Sequence, residues 1–224
     1  MIELNELKNN GFSKCKIDFD MKKIDNFMSN IQQNSLIGSQ ISESVVEFIE
    51  DDINKIEDLK DIFNKINNFA HNFYDGKLKF KKTWYVKTNY KISDYTKLPY
   101  VPHIDRFRRI KFFLYLNSVE SDNGPLTVMQ VNPKNYENKR LNLRYDWQKK
   151  FKNKIDDTGK FIKLIGNKGS CFIMDTNTPH KAGIVTRGYF RHILRFDYEL
   201  DGWNYESFFY RLDRFIRSRI SFNG

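Results

Sequence analysis

Residues 102–129 read PHIDRFRRIKFFLYLNSVESDNGPLTVM, and the organisation of the chain is read outward from them. Ile110 to Leu116, apolar and aromatic apart from Lys111, reads as a strand. Asn123-Gly124-Pro125 marks a turn, and Leu126 to Val131 resumes as a second strand. Just ahead of the first strand stand His103 and Asp105. In extended backbone, residues i and i+2 point to the same side, so these two face one point together. A third partner has to come from elsewhere. Residues 169–183, GSCFIMDTNTPHKAG, offer it: a strand-like run Ser170–Met174, a Pro-containing turn, then His180. Two imidazoles and one carboxylate on one face of an octahedron suit Fe(II) and leave three positions open. H-x-D by itself is a weak signal that also fits a polar loop pair, so context decides.

Upstream, Leu78, Phe80, Lys82, Trp84, Val86 and Thr88 alternate with mostly basic partners, which predicts a strand. Before it, Ile56, Leu59, Ile62, Phe63, Ile66, Phe69, Ala70 and Phe73 form a helical stripe behind Asn54, a candidate N-cap, and the helix stops at Asp75-Gly76. His71 falls on its polar side. Ile24, Phe27, Met28 and Ile31 predict an earlier helix. Downstream, residues 133–158 are strongly basic and weakly patterned, the reading of a helix-and-loop insertion or lid. Strands return at Phe161–Ile165, Ser170–Met174, Gly183–Val185 and Gly188–Tyr198, and Tyr205–Ile220 predicts a last helix. Helices, then many short strands, then a helix give an α+β fold, a β-sandwich or barrel backed by helices. One domain over 1–224 is expected, with a helical N-terminal segment over 1–76, a β core over 77–200 and a terminal helix over 203–224.

The chain has 224 residues, 40% of them hydrophobic, which is a globular composition with enough length for one real core. No apolar run approaches the ~20 residues of a membrane span, and no leader-like segment opens the chain, so a cytoplasmic protein is expected. Cys15 and Cys171 are far apart in sequence and make no metal pair; both read as reduced thiols, Cys171 as a small core residue. The net charge of +10 is uneven: residues 1–75 carry 8 basic and 14 acidic side chains, residues 76–224 carry 30 and 14. That asymmetry fits an anionic partner, or simply a Lys-rich solvated surface.

The ordered set PHIDRFRR, DNGPL, GSCFIMDTNTPH and RGYFRHILRFDYE resembles the phytanoyl-CoA dioxygenase-like branch of the Fe(II)/2-oxoglutarate oxygenases over roughly residues 82–198. The resemblance implies a double-stranded β-helix (jelly-roll, cupin-like barrel). It implies His103, Asp105 and His180 as iron ligands and catalytic centre, with 2-oxoglutarate as co-substrate and O2 as oxidant. It implies Arg191, eleven residues beyond His180, as the partner of the far carboxylate of 2-oxoglutarate. A guanidinium fork suits that task. Arg187 and Arg195 share strand parity with Arg191 and are the alternatives, in that order. Ala182 stands where many members carry Ser, so either another hydroxyl takes its place, from Thr88, Tyr85 or Thr127, or co-substrate binding is weaker.

Lys111 could reach a carboxylate, but a solvent-facing strand lysine is the expectation. His192 points away from Arg191 and reads as a packed or surface residue, and Asp175 as a shaper of the turn before His180. The resemblance implies, through the presence of Asp105, hydroxylation over halogenation, with desaturation or ring chemistry as related outcomes. Arg106, Arg108, Arg109 and the basic 133–158 segment suggest a small anionic substrate. The alternatives are an oxygenase acting on nucleic acid or protein, although no RNA- or DNA-module motif is present, and a non-catalytic cupin-like binding protein.

Overall fold

In the computed structural model, which describes residues 2–33, 38–91, 95–96, 98–140, 155 and 158–200, the chain begins with helix α1 (Ile2–Asn10) and strand β1 (Phe12–Cys15). Helix α2 (Met21–Gln32) follows, capped by Asp20, whose side chain accepts from the Lys22 amide. A hairpin of β2 (Ser39–Ser42) and β3 (Val45–Phe48) leads to α3 (Glu50–Asn54) and α4 (Glu57–Phe73). Asn54 is the last residue of α3, not the cap of α4, which opens on the extended residue Ile56 without a side-chain cap. Three acids in the first turn of α3, Glu50, Asp51 and Asp52, favour a helix start there and move the boundary. At the other end of α4, Asp75 and Gly76 adopt φ of 50° and 72°, and the Gly76 amide returns to the His71 carbonyl at 2.8 Å.

The remaining strands are β4 (Leu78–Asn89), β5 (Ile110–Tyr115), β6 (Thr127–Met129), β7 (Phe161–Lys163), β8 (Cys171–Asp175), β9 (His180–Lys181) and β10 (Phe190–Leu200). They form an antiparallel seven-stranded sheet, order β1-β8-β5-β10-β4-β3-β2, and a three-stranded sheet, order β7-β6-β9. Every residue of β5 is buried because the large sheet is covered on both faces. Phe112 and Leu114 pack with Leu194, Phe196 and Ile173 against Phe27 of α2 and Leu59, Ile62 and Ile66 of α4. Phe113 and Tyr115 face the other way, with Phe172, Met174 and Ile193, towards Val128 and Leu164. The cavity described below opens on this second face.

The β1 and β2–β3 strands have no strong apolar alternation; β2 is exposed throughout. Gly183–Val185 is not a strand: only Val185 bridges, to Asn123, and the strand here is the short β9 at His180. Gly183 runs against the Pro125 backbone, where a Cβ would lie 2.4 Å from the Pro125 carbonyl oxygen. Cys15 and Cys171, distant in sequence, are direct partners across the β1–β8 ladder, both buried and both free thiols. The helix expected over Tyr205–Ile220 and most of the basic segment, 141–154 and 156–157, fall outside the described residues. Among the described residues no helix is long and apolar enough to cross a membrane.

Candidate active site

His103 and His180 meet through their backbones before their side chains do anything. Each amide donates to the other's carbonyl, at 3.0 and 2.8 Å, and the imidazole centroids lie 4.5 Å apart. The loop that follows His103 is fastened to the turn that precedes His180. The Asp105 amide donates to the Thr176 carbonyl at 3.1 Å, and the amides of Arg109 and Thr176 donate to Thr176 Oγ1 and the Arg109 carbonyl at 2.8 and 2.9 Å. Arg108 grips Asp175 from Nε (3.2 and 3.1 Å) and Nη2 (2.6 Å). The Asp175 carboxylate also accepts from the Asn177 amide, and Asn177 Nδ2 donates to the Pro133 carbonyl at 2.6 Å. Asp175 thus shapes the turn, as its position suggested, and Arg108 is its partner rather than a free basic side chain.

His103, Asp105 and His180 each present one ligand atom, all within 4.8 Å of one another. Both rings are oriented the same way: His103 Nδ1 donates to the Val101 carbonyl and His180 Nδ1 to the Thr178 carbonyl, each at 2.8 Å. Nδ1 then carries the proton and Nε2 the lone pair, the tautomer a metal requires. Burial pushes the His180 imidazole down to about 3, against the opposing pull of Asp105, and lowers His103 as well. For Asp105, burial works upward, but Lys111 and the two histidines outweigh it and hold the carboxyl well below the usual range. Neutral imidazoles beside an ionised carboxylate are the donor set of a divalent cation. The residues present fit the group.

A cavity of about 290 Å³ holds these three residues, with Val86, Thr88, Phe113, Tyr115, Ala182 and Arg191 among its walls. A groove of about 330 Å³ beside Phe19 and Asp61 brings no such set together. Arg191 is 6% exposed. Its Nη1 donates to the Gly124 carbonyl, its Nη2 lies 3.5 Å from Thr88 Oγ1, and its Nε has no partner. Among the described residues no carboxylate pairs with it, and burial lowers its pKa. A desolvated guanidinium without a counter-ion is costly and marks a place for an anion. Gly124, at φ 68°, is the turn residue that aims its carbonyl at Arg191; this is what the Asn-Gly-Pro-Leu stretch contributes to the cavity.

The alternatives separate cleanly. Arg195 lines the cavity but is paired with Asp197 at 2.8 and 3.0 Å and stacks 3.9 Å above Trp84. Arg187 is exposed and does not line the cavity, because β10 begins only at Phe190. Of the three hydroxyls, Thr88 stands beside Arg191. Tyr85 has the opposite strand parity and faces the helices, its hydroxyl 2.5 Å from His192 Nδ1. Thr127 turns its hydroxyl to the Pro125 carbonyl at 3.3 Å and does not line the cavity. His192 is a buried packing residue and His71 is exposed. Lys111 is not solvent-facing: it is buried and donates to Asp105 Oδ2 at 2.6 Å. Tyr115 and Tyr100, both at the cavity near Arg191, carried no sequence signal that set them apart.

The sequence matches no family model and no curated protein. The fold has solved counterparts. EvdMO1 superposes with a TM-score of 0.64 at 13% identity over 90% of this chain, which spans 50% of the length of EvdMO1. EvdO2 from Micromonospora carbonacea var. aurantiaca, solved with 2-oxoglutarate, gives 0.60 at 12% identity over 92% of this chain and 96% of its own. The epimerase SnoN, solved with Fe3+, alpha-ketoglutarate and nogalamycin RO, gives 0.59 at 13% identity over 92% and 91%. At these identities the likeness is one of fold: a mixed α/β chain built on a large antiparallel sheet.

Proposed function

We propose that this chain is an Fe(II)/2-oxoglutarate-dependent oxygenase, a single domain over residues 1–224 whose two sheets form a double-stranded β-helix. One observation carries the reading. Two tautomer-fixed imidazoles, the Asp105 carboxylate and a buried arginine that has no carboxylate partner among the described residues share one cavity. In this reading His103, Asp105 and His180 hold iron, Arg191 pairs with the far carboxylate of 2-oxoglutarate, and the Thr88 hydroxyl, 3.5 Å from Arg191 Nη2, serves that carboxylate in the absence of a hydroxyl at residue 182. Bound there, iron with the keto acid and O2 supplies the oxidising power that turns a substrate C–H into C–OH, with succinate and CO2 released. The protein's own task is to bind, orient and exclude water. Val86, Phe113, Leu126 and Ile193 give the cavity apolar walls, which strengthen the Arg191 contact by keeping water from it. The solved counterparts with bound iron and 2-oxoglutarate support the cofactors. One of them is an epimerase, so the fold accommodates more than hydroxylation.

The substrate in this reading is small and anionic. What supports this is the charge of residues 76–224, 30 basic against 14 acidic side chains. Anaerobic addition of Fe(II) and then 2-oxoglutarate should produce a weak visible charge-transfer band, and O2 should then release succinate, faster with the right anionic metabolite. A protein that takes up neither iron nor 2-oxoglutarate would return the chain to the class of non-catalytic cupin-like binders.

A further inference from the structure

Lys111 sits on the cavity face of β5, opposite Asp197 of β10 and Met174 of β8. Asp197 is already occupied, by Arg195 at 2.8 and 3.0 Å and by Arg109 at 3.2 Å. The Lys111 ammonium instead reaches along the cavity to Asp105, with Nζ 2.6 Å from Oδ2. The other oxygen, Oδ1, lies 3.7 Å from His180 Nε2. The two oxygens of one carboxylate are therefore divided, one towards the ligand nitrogens and one to a buried cation. A short charge-assisted bond of this kind, in a place where an unpaired ammonium would be costly, fixes the carboxylate's rotation.

We propose that Lys111 is a positioning residue that confines Asp105 to ligation through one oxygen. A carboxylate with both oxygens free binds a cation through one or both. Through both, Asp105 would take a position that a chelating co-substrate or O2 needs. Lys111, by taking Oδ2, keeps three positions open. This role rests on the metal-site reading above and adds to it a residue outside the ligand set. No charge change at Lys111 is involved, only its occupation of Oδ2.

The test uses cobalt(II), a spectroscopic substitute for iron, in the full chain without O2. Wild type, Lys111→Met and Lys111→Gln are titrated with cobalt(II) while the visible bands are recorded, and then with 2-oxoglutarate. Lys111→Met removes the donor and keeps the stem; Lys111→Gln keeps a neutral donor and serves should the Met variant fold poorly. Lys111→Met should shift the cobalt bands and weaken 2-oxoglutarate binding by about tenfold or more, in the range that ligand-supporting residues contribute, with Lys111→Gln in between. Variants with wild-type bands and wild-type 2-oxoglutarate affinity would overturn the positioning role and leave the metal site standing. A wild-type protein that takes up no cobalt would remove the metal site itself, and this role with it.

Discussion

The His103 and His180 amides and carbonyls form a reciprocal pair of hydrogen bonds, 3.0 and 2.8 Å long, so backbone rather than metal sets the distance between the two imidazoles. In the proposed reading, these backbone hydrogen bonds hold the two histidines together without help from the cation. A divalent metal should then add stability by mass action, about 2.7 kcal/mol at a hundred times its dissociation constant. For a chain of this size that corresponds to a rise in Tm of roughly 5–10 °C. His180→Ala should keep the metal-free Tm within a few degrees of wild type and lose the metal-dependent rise. Differential scanning measurements with Co(II) or Ni(II) read both, and a rise that persists in His180→Ala places the metal elsewhere.

Arg191 should trade stability for function. Its guanidinium is buried with one unpartnered nitrogen and, among the described residues, no carboxylate. Arg191→Met replaces an uncompensated charge by apolar volume, and such exchanges are neutral or stabilising by about 1–4 kcal/mol. The variant should melt at or above the wild-type temperature and bind 2-oxoglutarate at least about a hundredfold more weakly, since a charge-assisted, desolvated contact is lost. Calorimetric titration of the metal-loaded proteins checks this. A variant that binds 2-oxoglutarate normally would shift the carboxylate partner to Arg195 or Lys111.

His103, Asp105, His180 and Arg191, all singled out in the sequence, line one cavity, and there is a physical reason that they could be singled out. His103 and Asp105 depend only on local i, i+2 geometry, whereas His180 and Arg191, on separate strands, were reached through the family resemblance and its ordered motifs. Residues whose role depends on what lies across the sheet were read less well. Lys111 looked like any strand lysine, because nothing local reveals that Asp197 is already taken by Arg109 and Arg195. Tyr85 looked available until strand parity turned it towards α2. The long amphipathic α4 was legible and its start was not, since the competing one-turn helix α3 depends on a local acidic cluster. Cys15 and Cys171 became neighbours only through the pairing of β1 with β8.

Arg108 and Asp175 should behave as one unit. Asp175 is 4% exposed at its side chain and bound by Arg108 through two nitrogens. Burial raises the Asp175 carboxyl against the lowering effect of Arg108. Arg108→Met alone leaves a buried carboxylate without its cation and should cost about 3–5 kcal/mol. Asp175→Leu alone should also destabilise. The double variant should recover much of the loss, with a coupling of about 0.5–3 kcal/mol in urea unfolding. Strict additivity of the two single changes would show that the contact contributes little, and the anchoring of the turn before His180 would then rest on the Thr176 and Asn177 hydrogen bonds alone.

His192 should set a share of the acid sensitivity of the metal-free protein. It is 4% exposed, and burial first, then Lys87, push its imidazole down to about 4. Its Nδ1 lies 2.5 Å from the Tyr85 hydroxyl, and burial pushes that phenol up to about 12, so the hydroxyl stays neutral beside it. In the unfolded chain an unperturbed histidine titrates near ~6.5. Between about pH 6.5 and the native value the unfolded chain therefore holds a proton that the fold refuses. Stability must fall as pH drops through that window and stay flat above it. The depressed His103 and His180 act in the same direction, so the wild-type slope sums several sites. His192→Asn keeps an acceptor for Tyr85 and removes the titration. It should lower the slope of unfolding free energy near pH 5.5 by about 1 kcal/mol per pH unit, one proton's worth. Urea unfolding at pH 7.5, 6.5 and 5.5 measures it, with carboxylates contributing mainly below this range. Equal slopes in the variant and wild type would mean that His192 is protonated in the fold, and that the Tyr85 hydroxyl points elsewhere.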